Sequence, residues 1–112
     1  MQGPLEVSYR DLEPSDLIRN LVEEKFRKVE RLYPDLTGCH IMIEQLNQRH
    51  QSGNLYHVRI DLFLPGKELV ISSSAHDKSA RQDLYQTIVD AFETAHRRLD
   101  EYLEKRRARK KG

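Results

Sequence analysis

The sequence predicts an α+β fold: a two-layer sandwich in the order β-α-β-β-β-α, with two helices packed on one face of a four-stranded sheet. Three observations point to it. Two long stretches repeat apolar residues at three- and four-residue steps, as amphipathic helices do. Four short stretches read as strands, most of them by alternation of apolar and polar residues. Turn residues separate the last three strands closely enough for hairpins, while a helix separates the first two.

The opening LEVSY (5–9) alternates with the period of a half-buried strand. Pro14-Ser15 then punctuates the chain, and Ser15 suits an N-cap because its hydroxyl accepts from unpaired N–H groups of the first helical turn. Asp16 places negative charge where the helix dipole is positive. Ile18, Leu21, Val22, Phe26, Val29, Leu32 and Tyr33 form one apolar stripe, so a helix is expected over 16–33, ended by Pro34. CHIMIEQ (39–45), LYHVRIDLFL (55–64) and ELVISSS (68–74) supply the other strands, with NQRHQSGN as a loop and Pro65-Gly66 as a turn. Tyr56, Val58, Ile60, Leu62 and Leu64 share one face; His57, Arg59 and Asp61 share the other. A sheet covered by helices on a single side has that pattern. Leu84, Ile88, Ala91, Phe92, Ala95, Leu99, Tyr102 and Leu103 set a second helix from about residue 80 to at least 104. At ~35 Å it outruns a sheet ~20 Å wide, so its last turns should project beyond the body.

The 112 residues suffice for one domain, expected over 1–104, followed by a basic tail at 105–112. No apolar run nears the roughly 18 residues of a bilayer span, and no signal peptide heads the chain, so a cytoplasmic protein is expected. The lone Cys39 excludes an intrachain disulfide and a thiolate zinc cage. The net charge of +1 hides an asymmetry. Residues 105–111, KRRARKK, hold six of the 19 basic residues; the other 13 face 18 acids, leaving residues 1–104 at −5. A concentrated cationic end suits a polyanionic partner.

Catalytic signals are poor. The five histidines show no metal-ligand spacing; His40 and His57 could sit opposite each other on neighbouring strands, but a solvated sheet face outweighs a metal site. Cys39 reads as a small buried hydrophobe. Ser72, Ser73 and Ser74 have no identifiable base, and no glycine-rich phosphate loop exists. The expectation is a non-enzyme without cofactor, metal or small-molecule substrate. Binding signals are better. Lys25, Lys28 and Arg31 form a ridge at three-residue steps on the first helix, with Arg27 beside them. Arg97, Arg98, Lys105 and Arg106 lie on the second. Side by side, the two series could border a groove suited to a phosphate backbone. Glu23, Glu24 and Glu30 interleave with the first series, which is equally the composition of a salt-bridged solvated face.

RDLEPSDLIRNLVEEKFRKVERL (10–32) resembles the N-terminal segment of the ribosome hibernation promoting factors, also called ribosome-associated inhibitor A or sigma-54 modulation proteins. Arg10, Leu12, Glu13, Ser15, Val22, Glu23, Glu24, Lys25, Glu30 and Arg31 keep the register of the family pattern. DLYQTIVDAFETAHRRLDEYL (83–103) is similar to a second family element. The resemblance implies the same β-α-β-β-β-α fold and binding in the decoding region of the small ribosomal subunit. There the family overlaps messenger and tRNA positions and holds ribosomes inactive under stress. It implies contacts to ribosomal RNA phosphates from Lys25, Lys28, Arg31 and Arg97; Arg98, Lys105 and Arg106 are further candidates from this sequence's own charges and not from the family pattern. Thr94 and Glu101 stand where the family commonly has lysine, which reduces the charge of the groove. The stretch AHDKSARQ (75–82) is longer than in typical short members. A short-form member, monomeric when bound, is expected. Two other readings share these elements: a double-stranded RNA-binding domain, and a homodimeric interaction module using an open sheet face bearing Met42, Phe63 and Val70.

Overall fold

The computed structural model describes residues 5–46, 55–74 and 84–111. Strand β1 spans Leu5–Arg10, helix α1 Asp16–Leu32, β2 Gly38–Leu46, β3 Leu55–Leu64, β4 Lys67–Ser74 and helix α2 Leu84–Lys111. The element order is the expected one. The expected helix start near residue 80, the loop at 47–54 and the stretch 75–82 lie outside the described residues.

Ser15 caps α1 as anticipated, its Oγ accepting from the Ile18 N–H at 3.4 Å. At the other end the Tyr33 N–H donates to the Val29 carbonyl, and Pro34 allows no further turn. Asp11 takes a left-handed φ of 57° where β1 hands over to α1, a conformation aspartate tolerates better than most residues. Between β3 and β4, Gly66 has a φ of 71°, which glycine adopts without steric cost.

The sheet runs β1-β2-β3-β4. The α1 crossover makes β1 parallel to β2, and two hairpins make β3 antiparallel to both neighbours. Register follows the apolar pattern: Ile41 faces Ile60, which faces Ile71, and all three are buried beneath the helices. From α1, Val22, Phe26 and Val29 enter this core; from α2, Ile88, Phe92, Ala95 and Leu99 do. Each large aliphatic side chain so buried contributes about 1.5–3 kcal/mol relative to exposure.

The other face of the sheet carries the polar alternates. Phe63 and Val70 are exposed there, while Met42 is half-buried. His40 stands opposite Asp61 and His57 opposite Glu44, so the two histidines are not cross-strand partners as the sequence allowed. The β2–β3 register, set by the core, separates them. No group of three or more metal-ligating side chains occurs among the described residues.

Helix α2 is 28 residues long, roughly 42 Å, and the molecule extends 55 × 26 × 19 Å. The basic run continues α2 as helix through Lys111 rather than leaving it as irregular chain. No helix among the described residues is long and apolar enough to cross a membrane.

Candidate nucleic-acid interface

The two helices meet through Tyr33 at the end of α1. Its ring lies 5.9 Å from that of His96, tilted by 55°. Its hydroxyl donates to Asp100 Oδ1 at 2.5 Å and approaches the His96 carbonyl at 3.4 Å. Burial raises the Tyr33 phenol to about 12, and the hydrogen bond to Asp100 and that carboxylate's charge push the same way. Just beyond, Asp35 reaches Arg106 of α2 at 3.5 Å. These contacts fix how the basic residues of one helix face the other.

At 3.6 residues per turn, Lys25 and Lys28 lie on the flank of α1 that turns toward α2. His96 registers them. Burial first, then the Lys28 ammonium, lowers its pKa from the ordinary 6.5; Asp100 opposes this and Lys25 adds to it. Two cations of α1 thus lie within electrostatic reach of an imidazole of α2. Arg31, in the last turn of α1, and Arg97, next to His96, are exposed on the outward sides of their helices.

Of the acids that interleave with this series, Glu23 is engaged on another flank of α1, pairing at helical spacing with Arg19 at 3.0 Å and with Arg27 at 3.8 Å. Among the described residues, Lys25, Lys28 and Arg31 have no carboxylate within ion-pair distance. The ion pairs of α1 among the described residues thus join Arg19 and Arg27 to Glu23.

Not every expected residue joins that groove. Arg98 donates to the Val70 carbonyl of β4 at 3.4 Å, so it lies on the flank of α2 away from α1. A step of two residues from His96 carries it about 200° around the helix. Lys105 and Arg106 sit further along α2 in a cleft with Lys67, the first residue of β4. The single strip expected from sequence is in fact a groove with two outward cations, one separate arginine and a distal basic notch. Sequence reasoning missed Tyr33 and His96 as the bridge between helices, since their contact spans 63 residues. It also missed Lys67, although alternation with the buried Leu69 places it on the helix side of β4.

The sheet face holds a second polar cluster. Ser8 Oγ and His40 Nε2 are 2.9 Å apart, with Asp61 across from His40. The types echo a nucleophilic triad, but Asp61 Oδ1 is engaged by Arg59 Nε at 2.9 Å rather than orienting the imidazole. Cys39 is buried, and burial followed by the charge of Asp61 pushes its thiol up to about 12, far from a reactive thiolate.

Comparison with known proteins supplies the family. No curated protein matches the chain. Among solved structures, the chain is similar to a ribosomal subunit interface protein from Coxiella burnetii, with a TM-score of 0.74 and 17% identity over 90% of this chain and 98% of that one. It is also similar to the N-terminal domain of Thermus thermophilus Protein Y, with a TM-score of 0.68 and 22% identity over 90% and 99% of the two chains. At these identities the neighbours establish the fold alone. The sequence itself matches the family described as sigma 54 modulation protein / S30EA ribosomal protein across residues 5–107. Covering both helices and all four strands, that match shows that the chain belongs to this family.

Proposed function

We propose that this chain is a hibernation factor that blocks the messenger and tRNA channel of the small ribosomal subunit, lying along ribosomal RNA through its helical layer. Family membership makes it a ribosome-associated protein, and a neighbour is titled a ribosomal subunit interface protein. One observation carries the finer reading. Among the described residues Lys25, Lys28 and Arg31 have no carboxylate within ion-pair distance, and the charges of two of them are felt by His96 of the facing helix. Free ammonium and guanidinium groups along a groove match the regular charges of an RNA backbone, and neutralising phosphates releases condensed counterions. Folded RNA is recognised largely through shape and backbone, which suits a rigid helical surface offering no base-reading motif. The action proposed is occlusion by a binding protein rather than catalysis.

Competition tests this directly. With the protein prebound to purified small subunits, messenger plus initiator tRNA should displace it, and excess protein should prevent their binding. Simultaneous, independent binding of both would rule out channel occlusion.

A further inference from the structure

Where the β3–β4 turn meets the distal part of α2, Pro65, Gly66, Lys67, Tyr102, Lys105 and Arg106 line a cleft of about 280 Å³. Lys105 is nine residues beyond His96, roughly 13 Å along the helix, so the cleft is distinct from the inter-helix groove. We infer that this notch is a phosphate-binding site, built by the β-turn and α2 together.

Three features of the notch argue for it. The first is charge. Lys67 and Lys105 converge from different elements, and among the described residues neither has a carboxylate within ion-pair distance. Clustering like charges is unfavourable unless an anion joins them. The second is preorganisation. Arg106 Nη1 lies 3.1 Å from the Tyr102 hydroxyl and 3.5 Å from Asp35 Oδ2, with its guanidinium carbon 6.0 Å from the centre of the Tyr102 ring. Its guanidinium is thus held at the wall of the cleft with Nη1 engaged, and its remaining N–H groups are the donors it can offer a phosphate. The third is access. The space around Gly66 is open: a Cβ built there would meet nothing within 4 Å. The other strand-end charge, Glu68, alternates to the opposite side of β4, so the acid nearest the notch is Asp35, set against three cations.

A phosphate group is the shared chemistry, and it can come from a free phosphate compound or from an RNA strand. Both sources are distinguished by amide chemical-shift titration of the full chain with inorganic pyrophosphate and, separately, with a short single-stranded RNA. Saturable shifts at Gly66, Lys67 and Tyr102 are expected with at least one probe, and the probe that saturates identifies the source. Lys67→Gln/Lys105→Gln replaces two exposed residues outside the core; it should retain the dispersed spectrum and weaken the notch titration about tenfold or more. Should that variant lose its fold, Lys67→Gln alone serves, with a smaller weakening. The shifts are read at Gly66, Lys67 and Tyr102, which line the notch and not the flank of α1 that bears Lys25 and Lys28, so this inference stands or falls separately from the channel reading. Linear, unsaturated shifts with both probes, or titrations unchanged by the lysine substitutions, would overturn it.

Discussion

His96 and Tyr33 link the two helices, and their protonation reports the groove without any ribosome present. Because Lys28 and Lys25 help to lower the His96 pKa, Lys28→Glu should raise it, measurably by proton NMR of the imidazole. An unchanged titration would separate Lys28 from the groove. The sign for stability follows from the same shift. The unfolded imidazole, near 6.5, takes up its proton before the folded one, so stability should fall as pH drops below about 6.5 and level off once the folded His96 is protonated. Tyr33 acts at the alkaline end. Its unfolded phenol ionises near 10 and the folded one near 12, so its contribution is complete below 10 and is lost across that interval. Tyr33→Phe removes the bond to Asp100 and should cost about 1 kcal/mol in urea unfolding, below the usual range for a charged partner because Asp100 stays open to water. It should also flatten the stability decline above pH 10. None of this was legible in sequence, where Tyr33 is merely the last member of an apolar stripe. A hydrogen bond spanning 67 residues leaves no local periodic trace.

At the scale of elements, periodicity did most of the predictive work. Both helices and all four strands form where apolar spacing placed them, because burying one face is what decides these elements. The cap at Ser15 is a local interaction and was equally legible. Its hydrogen bond is long at 3.4 Å, so Ser15→Ala should cost about 0.5–1 kcal/mol. Leu99 is fully buried between α2 and the sheet, and Leu99→Ala should cost about 3 kcal/mol. Urea unfolding separates the two magnitudes; equal losses would contradict the packing described. Cross-strand pairing was less legible. The partners of His40 and His57 depend on where the β2–β3 hairpin reverses, and strand alternation gives each residue its face but not its opposite number. Arg98 shows the same limit for helices. Adjacent arginines at 97 and 98 point about 100° apart, and only the packing of α2 on the sheet determines that Arg98 reaches the Val70 carbonyl while Arg97 stays exposed.

The whole molecule is elongated, with a sheet face on which Asp61 is paired with Arg59 and Glu44 lies near His57, opposite a helical layer whose Lys25, Lys28 and Arg31 have no ion-pair partner among the described residues. Such a distribution orients the chain toward a polyanion more effectively than its net charge of +1 suggests. Charge asymmetry was visible in the composition, but its division among groove, outer surfaces and notch required the packing of α1 against α2. Binding held by phosphate contacts weakens linearly with salt on logarithmic axes, by roughly 0.7–0.9 per contact. The most direct measurement is therefore co-sedimentation with purified small subunits across a salt series, for the wild-type chain and for Lys25→Glu/Lys28→Glu/Arg31→Glu. The wild type should dissociate steeply as salt rises, and the variant should bind weakly with a slope shallower by roughly 2–3. Equal affinity and equal slope for the two chains would contradict the groove as the seat of ribosome binding.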